Sequence, residues 1–166
     1  MRNRCLECKC FPTLVVMLCL LGSVAGTGLA AAAPEGWKPT PLERADEMSE
    51  ALAAAPDSIR DGAGVYVLTD DGYELVRKSK NEFHCLIERS QKDAFEPQCF
   101  DAEGSATLLQ QVLMRGELQM GGASAEEVNR QVAAAWAKGD LRSPRRPGIN
   151  YMMSPRNRVP VGPETV

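Results

Sequence analysis

The placement of the cysteines constrains this chain more than any other feature. Six occur in 166 residues. Cys5, Cys8, Cys10 and Cys19 crowd the amino terminus, and only Cys85 and Cys99 lie beyond it. The crowded segment has the three-part layout of a secretory signal. Arg2, Arg4 and Lys9 give a positive start, Leu14 to Leu21 an apolar core, and Ala30 to Ala33 a small-residue site that a signal peptidase accepts. Pro34 breaks any helix continuing from it. The expectation is a signal peptide over residues 1–33, cut after Ala32 or Ala33, and a secreted or periplasmic product. An uncleaved anchor is the competing reading, because the uncharged run 11–33 matches the roughly 20 residues that span a bilayer. On that reading the chain meets a membrane only through this segment. Cys5-x-x-Cys8-x-Cys10 has no second ligand group to complete a metal site and leaves with the signal.

Cleavage leaves two cysteines in an oxidising compartment, where an even count reads as one Cys85–Cys99 disulfide. Closing a loop of about 15 residues contributes about 3 kcal/mol on the chain-entropy account. Two reduced, buried thiols are the alternative if the chain is not exported. Loss of Arg2, Arg4, Lys9 and Glu7 with the signal takes the formal charge from −3 to −5. An acidic domain lacks the basic field that general nucleic-acid binding needs, so no nucleic acid is expected as a partner.

Residues 34–39 (PEGWKP) have turn chemistry. Thr40-Pro41-Leu42-Glu43 combines a capping box with proline at the first helical position and predicts a helix over 40–55, ending before Pro56. Its thin stripe of Leu42, Ala45, Met48 and Leu52 suits a peripheral position. Residues 63–68 (AGVYVL) are apolar on both faces, as an interior strand requires. Asp70-Asp71-Gly72 marks a tight turn, 73–78 a second strand, Ser79-Lys80-Asn81 another turn and 83–89 a third strand, which together read as an antiparallel meander. Phe83, Cys85 and Ile87 then share one face. Gln98-Cys99-Phe100 returns as a short fourth segment.

Asp101 or Ser105 caps a second helix with Leu108, Leu109, Val112 and Leu113 on its apolar face. Ser124-Ala125-Glu126-Glu127 is a second capping box; it opens a helix that buries Val128, Val132, Ala135 and Trp136 and ends at Gly139. The expected class is α+β: an antiparallel sheet of three to four strands with two to three packed helices, forming a single domain over 34–139. Prolines interrupt every periodic pattern in 140–166, which predicts an extended Pro/Arg-rich carboxy-terminal tail or strap. Only INYMM at 149–153 looks able to add an edge strand.

Five segments in order, GYELVR at 72–77, FHCLIER at 83–89, CFDAEGSAT at 99–107, PRRPG at 144–148 and YMMSPRNRV at 151–159, resemble a set of uncharacterised small secreted bacterial proteins with a paired-cysteine loop. The resemblance covers roughly residues 60–160. It implies a secreted setting and pairing of Cys85 with Cys99, and brings no activity with it. Proteins of that set often continue through a segment richer in histidine and aromatics, which implies a shortened form here.

Candidate chemistry is sparse. His84, the only histidine, neighbours Cys85, but adjacent strand residues point to opposite faces and a disulfide sulfur is no nucleophile. His84 is expected on the outer face of the sheet near Glu82 or Glu88. One histidine with carboxylates does not make a metal site, and no cofactor motif is present, so neither is expected. Asp70-Asp71 reads as turn chemistry, and Glu126-Glu127 and Asp101-Ala102-Glu103 as helix starts. Gly62-Ala63-Gly64 precedes a strand and is no phosphate loop. Arg142, Arg145, Arg146, Arg156 and Arg158 could present forks to an acidic protein, an envelope polymer or lipid headgroups; alternatively they pair with the acidic body of the same molecule. The leading functional expectation is an exported, non-enzymatic binding or structural module with the 140–159 segment as its contact surface. A small envelope hydrolase using His84 and a nearby carboxylate is the alternative. A third reading is an inhibitor of an envelope enzyme, with the 86–98 loop as a wedge.

Overall fold

The structure is a computed structural model that describes residues 36–159. The expected signal segment 1–33 and the last stretch of the tail lie outside the described residues. In chain order the elements are α1 (Arg44–Leu52), α2 (Asp57–Arg60), β1 (Gly64–Thr69), β2 (Gly72–Arg77), β3 (His84–Glu88), β4 (Glu96–Phe100), α3 (Ala102–Ala106), α4 (Leu108–Met120), α5 (Ala125–Lys138) and β5 (Asn150–Tyr151).

The sheet runs β2-β1-β3-β4-β5. All neighbours are antiparallel except β1 and β3, which are parallel through Gly64↔His84 and Val65↔Cys85. This corrects two sequence expectations: the sheet is mixed rather than antiparallel throughout, and it has five strands rather than three to four. Composition supplies the physical reason. A meander would have put β1 at the edge. Its two apolar faces, with Val65 and Val67 at most 2% exposed, suit an interior strand. Polar β2, with Glu74 exposed, takes the edge. The chain therefore crosses from β2 over the end of β1 and enters β3 on the far side.

Two helical layers sandwich the sheet, a third helix backs one of them, and five helices occur among the described residues instead of two to three. Val65, Val67, Cys85, Ile87 and Cys99 face Ala51, Ala54 and Ala55 of α1 and the turn after it, with Phe83 packed on the same cluster. On the other face Leu86, Phe100, Tyr66 and Tyr73 meet Leu109 and Val112 of α4. Val128, Val132 and Ala135 of α5, joined by Leu141, pack against Met114 and Leu118 of α4. α1 is therefore not peripheral. It also starts at Arg44 without a side-chain cap: no capping box closes at Thr40, and the Leu42 backbone N–H donates to Glu47 Oε2 at 3.3 Å.

The other two helix starts follow the sequence. Asp101 accepts from the Gly104 N–H at 2.8 Å, and Ser124 from that of Glu127 at 3.2 Å. The expected second helix is split by Thr107 (φ −129°, ψ −82°) into α3 and α4, which leaves Leu108 43% exposed. Gly139 ends α5 at φ 81°.

Cys85 and Cys99 stand opposite each other in the β3–β4 register with Cα atoms 4.0 Å apart, joined by a disulfide. That spacing fits the close pair of an antiparallel ladder. Both residues are fully buried under α1. Within the hairpin they clip, residues 89–95 connect the two strands, and Ser90 to Asp93 stand exposed at its tip.

Beyond α5 the chain returns along the sheet. β5 pairs with β4, the Met153 N–H donates to Ala54 O at 2.9 Å, and Phe95 and Arg158 exchange backbone bonds at 3.0 and 2.8 Å.

Candidate functional site

His84 opens β3 on the α4 face, the side opposite Cys85, as strand alternation requires. That face is not an open outer surface, because α3 and α4 cover it, and His84 is half-buried there. Its side-chain partner is a hydroxyl rather than the carboxylate of Glu82 or Glu88: Nδ1 lies 3.1 Å from Ser105 Oγ. The same Oγ lies 3.1 Å from the Phe100 carbonyl. A hydroxyl has one proton, so either Ser105 donates to Phe100 and the imidazole donates through Nδ1–H, or Ser105 donates to Nδ1 as acceptor. Burial pushes the His84 pKa down, with the backbone of Glu82 pulling the other way.

Around this pair lies an open cleft of about 580 Å³. Tyr66, Leu75 and Leu109 supply apolar wall, Ser105 and Gln110 polar groups, and Lys78, Lys80 and Glu82 the rim. Tyr66 lies 5.9 Å from His84 between ring centroids, and burial raises its phenol pKa.

The loop before β3 is held tightly. Asn81 Nδ2 donates to Ile59 O at 2.9 Å, Asn81 Oδ1 accepts from the Phe83 N–H at 3.2 Å, and the Lys80 N–H donates to Gly62 O at 2.6 Å. Glu82 is held at φ 65°, the only non-glycine at positive φ among the described residues. Such strain persists only where surrounding structure enforces it. A register shift between Val65 and Tyr66 bends the β1–β2 ribbon beside the same cleft.

Gly62 and Gly64 now have a physical account. A Cβ on Gly64 would sit 2.5 Å from His84 Cδ2, and one on Gly62 2.8 Å from Asn81 Nδ2. The two glycines make room for the imidazole and for the amide that pins the loop. Glycine at a strand start was the sequence signal for this close approach. Ser105, 21 residues from His84 along the chain, gave no such signal.

The arginine set divides. Arg146 Nε donates to Glu103 Oε2 at 2.9 Å, and the Arg145 backbone N–H to Glu103 Oε1 at 2.8 Å. The Arg145 bond and then Arg146 hold the Glu103 carboxyl below its usual range. Arg156 pairs with Glu50 and stacks 4.9 Å over Phe95. The side chains of Arg142, Arg145 and Arg158 are exposed and make no ion pair among the described residues. Asp70-Asp71 forms the β1–β2 turn, closed by Thr69 Oγ1 donating to Gly72 O at 2.8 Å. Among the described residues no group of three metal-ligating side chains comes together, and no helix is long and apolar enough to cross a membrane.

Two polar clusters escaped the sequence reading. Glu47 of α1 and Arg89 after β3 form a buried ion pair. Glu88 and Glu96 stand opposite each other in the β3–β4 register. Glu88 accepts from Gln98 Nε2, Gln98 accepts from Asn150 Nδ2, and Glu96 accepts from Ser90 Oγ. Burial, then the charge of Glu96, raises the Glu88 pKa. No protein-family model, curated protein or solved structure matches this chain.

Proposed function

We propose that this protein is an exported binding module whose recognition site is the cleft around His84. One observation carries the choice of binding over hydrolysis. Ser105 Oγ lies no closer to His84 Nδ1 than to the Phe100 carbonyl, both at 3.1 Å, and no carboxylate is hydrogen-bonded to His84 among the described residues. A serine nucleophile needs its proton on the base, and the base an orienting partner. A binding cleft needs only the space and the convergent polar groups seen here. The disulfide supports an oxidising compartment, and with the amino-terminal signal pattern supports export. Envelope material is the proposed partner. Ion pairing of Arg146 and Arg156 with Glu103 and Glu50 favours the cleft over the arginine segment as the contact, leaving Arg142, Arg145 and Arg158 for an acidic partner.

Retention on an immobilised envelope fraction tests this reading. Ala106→Trp fills the cleft from the exposed end of α3 and is expected to abolish retention. The triple change Arg142→Ala, Arg145→Ala and Arg158→Ala is expected to leave it intact. Loss in the arginine variant alone would move the site to the carboxy-terminal segment. No retention of the unaltered protein would refute the reading.

A further inference from the structure

We propose that the His84 cleft binds small carboxylates carrying an apolar body, with the acid head among Lys78, Lys80 and His84 and the body against Tyr66, Leu75 and Leu109. The inference rests on the cleft being a binding site and adds the class of ligand. The cleft is open, and its volume of about 580 Å³ leaves room for a small organic ligand to lie in it. Leu75 is 40% exposed on the edge strand and lines this cleft, so apolar surface stands open to an occupant.

Charge then selects the occupant. In a chain of net negative charge, Lys78 and Lys80 are two exposed cations on one rim, neither in an ion pair among the described residues. Glu82 is the only acidic residue lining the cleft, against two lysines and His84. Tyr66, the remaining titratable group there, stays a neutral phenol because burial disfavours its ionisation. A neutral ligand would leave the rim charge unanswered, and a cation would be repelled by it. A single carboxylate balances it. The loop that carries the lysines is fixed by Asn81 and by the Lys80–Gly62 backbone bond, so little ordering is required on binding. Ser105 and Gln110 add polar atoms beside His84.

The single histidine makes the test direct, since the untagged, disulfide-bonded protein gives one imidazole Hε1 signal by proton NMR. Octanoate is expected to shift that signal saturably and to raise its titration midpoint, because an anion beside the ring favours the imidazolium. 1-Octanol, the same body without the charge, is expected to bind more weakly and leave the midpoint where it was. Joint Lys78→Ala and Lys80→Ala substitution is expected to weaken octanoate about tenfold and leave 1-octanol unchanged. Both lysines are exposed, so the variant should fold. Equal affinity for the two ligands, octanoate binding indifferent to the lysines, or no saturable shift would each overturn the inference. If Ala106→Trp still abolishes envelope retention while octanoate fails, the cleft is a site for another ligand class, and only the present inference falls.

Discussion

Glu47 and Arg89 form a two-pronged ion pair between α1 and the end of β3, with Nη1–Oε1 and Nη2–Oε2 both 2.7 Å and the side chains 0% and 6% exposed. Arg89 Nη1 also reaches the Ile87 carbonyl at 3.3 Å, and its guanidinium lies 5.6 Å from the Phe95 ring centre. The pair fixes α1 against the sheet at a point where an apolar contact would have been expected. Removing one partner strands the other as a buried charge. Arg89→Met alone is therefore expected to cost about 3–5 kcal/mol in urea unfolding, and the joint Glu47→Leu, Arg89→Met change to recover most of it. A double variant no better than the single would show that the pair does more than neutralise itself.

The disulfide is expected to stabilise the fold through its short loop. Joint Cys85→Ala and Cys99→Ala substitution should lower unfolding free energy by about 3 kcal/mol or somewhat more, since the sulfurs are also core atoms. The check is denaturant unfolding of the variant beside the unaltered protein. Mild reductant should leave the native protein oxidised, because both sulfurs are buried under α1.

Gly64 makes room for the His84 ring. Gly64→Ala places a methyl group 2.5 Å from Cδ2, so the imidazole must move away from Ser105 or the strands must shift. The expected cost is about 1–3 kcal/mol, measured as a lowered melting temperature. Displacement of the single imidazole Hε1 resonance should accompany it. An unchanged resonance would mean that the ring does not sit where the structure puts it.

Glu88 gives a pH signature. Burial, then Glu96, raises its folded pKa above the ordinary 4.5. Between those two values the folded state holds more protons than the unfolded state, so this group makes stability fall as pH rises through the window. Its stabilising contribution is complete only below the unfolded pKa. Glu88→Gln keeps an oxygen acceptor for Gln98 Nε2 and removes the charge. It is expected to raise stability at neutral pH and to flatten the slope above pH 4.5 in unfolding curves taken at a series of pH values. His84 contributes the opposite slope below its ordinary 6.5, since burial lowers its folded pKa. That term is common to both proteins and drops out of the comparison.

Much of the local structure was legible in the residues. Alternation placed Phe83, Cys85 and Ile87 on one face, and the structure puts all three in one cluster. Asp101, Ser124 and Gly139 marked helix ends through short-range hydrogen bonding and backbone preference. The Thr40 box misled: α1 starts at Arg44, and the Leu42 N–H before it donates to Glu47, which pairs with Arg89 in the core. Glu47 and Arg89 lie 42 residues apart in the chain, so their pairing is invisible to any local rule.

Sequence by itself determined the cores of the long helices and of the first three strands, the alternation of faces along β3, and that two cysteines past the amino terminus are available to pair. Those properties follow from periodicity, capping and count, which act over a few residues. The tertiary structure alone decided that β3 crosses to the far edge of β1, that Glu47 meets Arg89, and that His84 meets Ser105 in a cleft rimmed by Lys78 and Lys80. The physical reason is the same in each case. A doubly apolar strand is best buried with a neighbour on each side, and a buried charge or imidazole must find a partner wherever the chain brings one. Both conditions are met only by contacts between residues far apart in sequence.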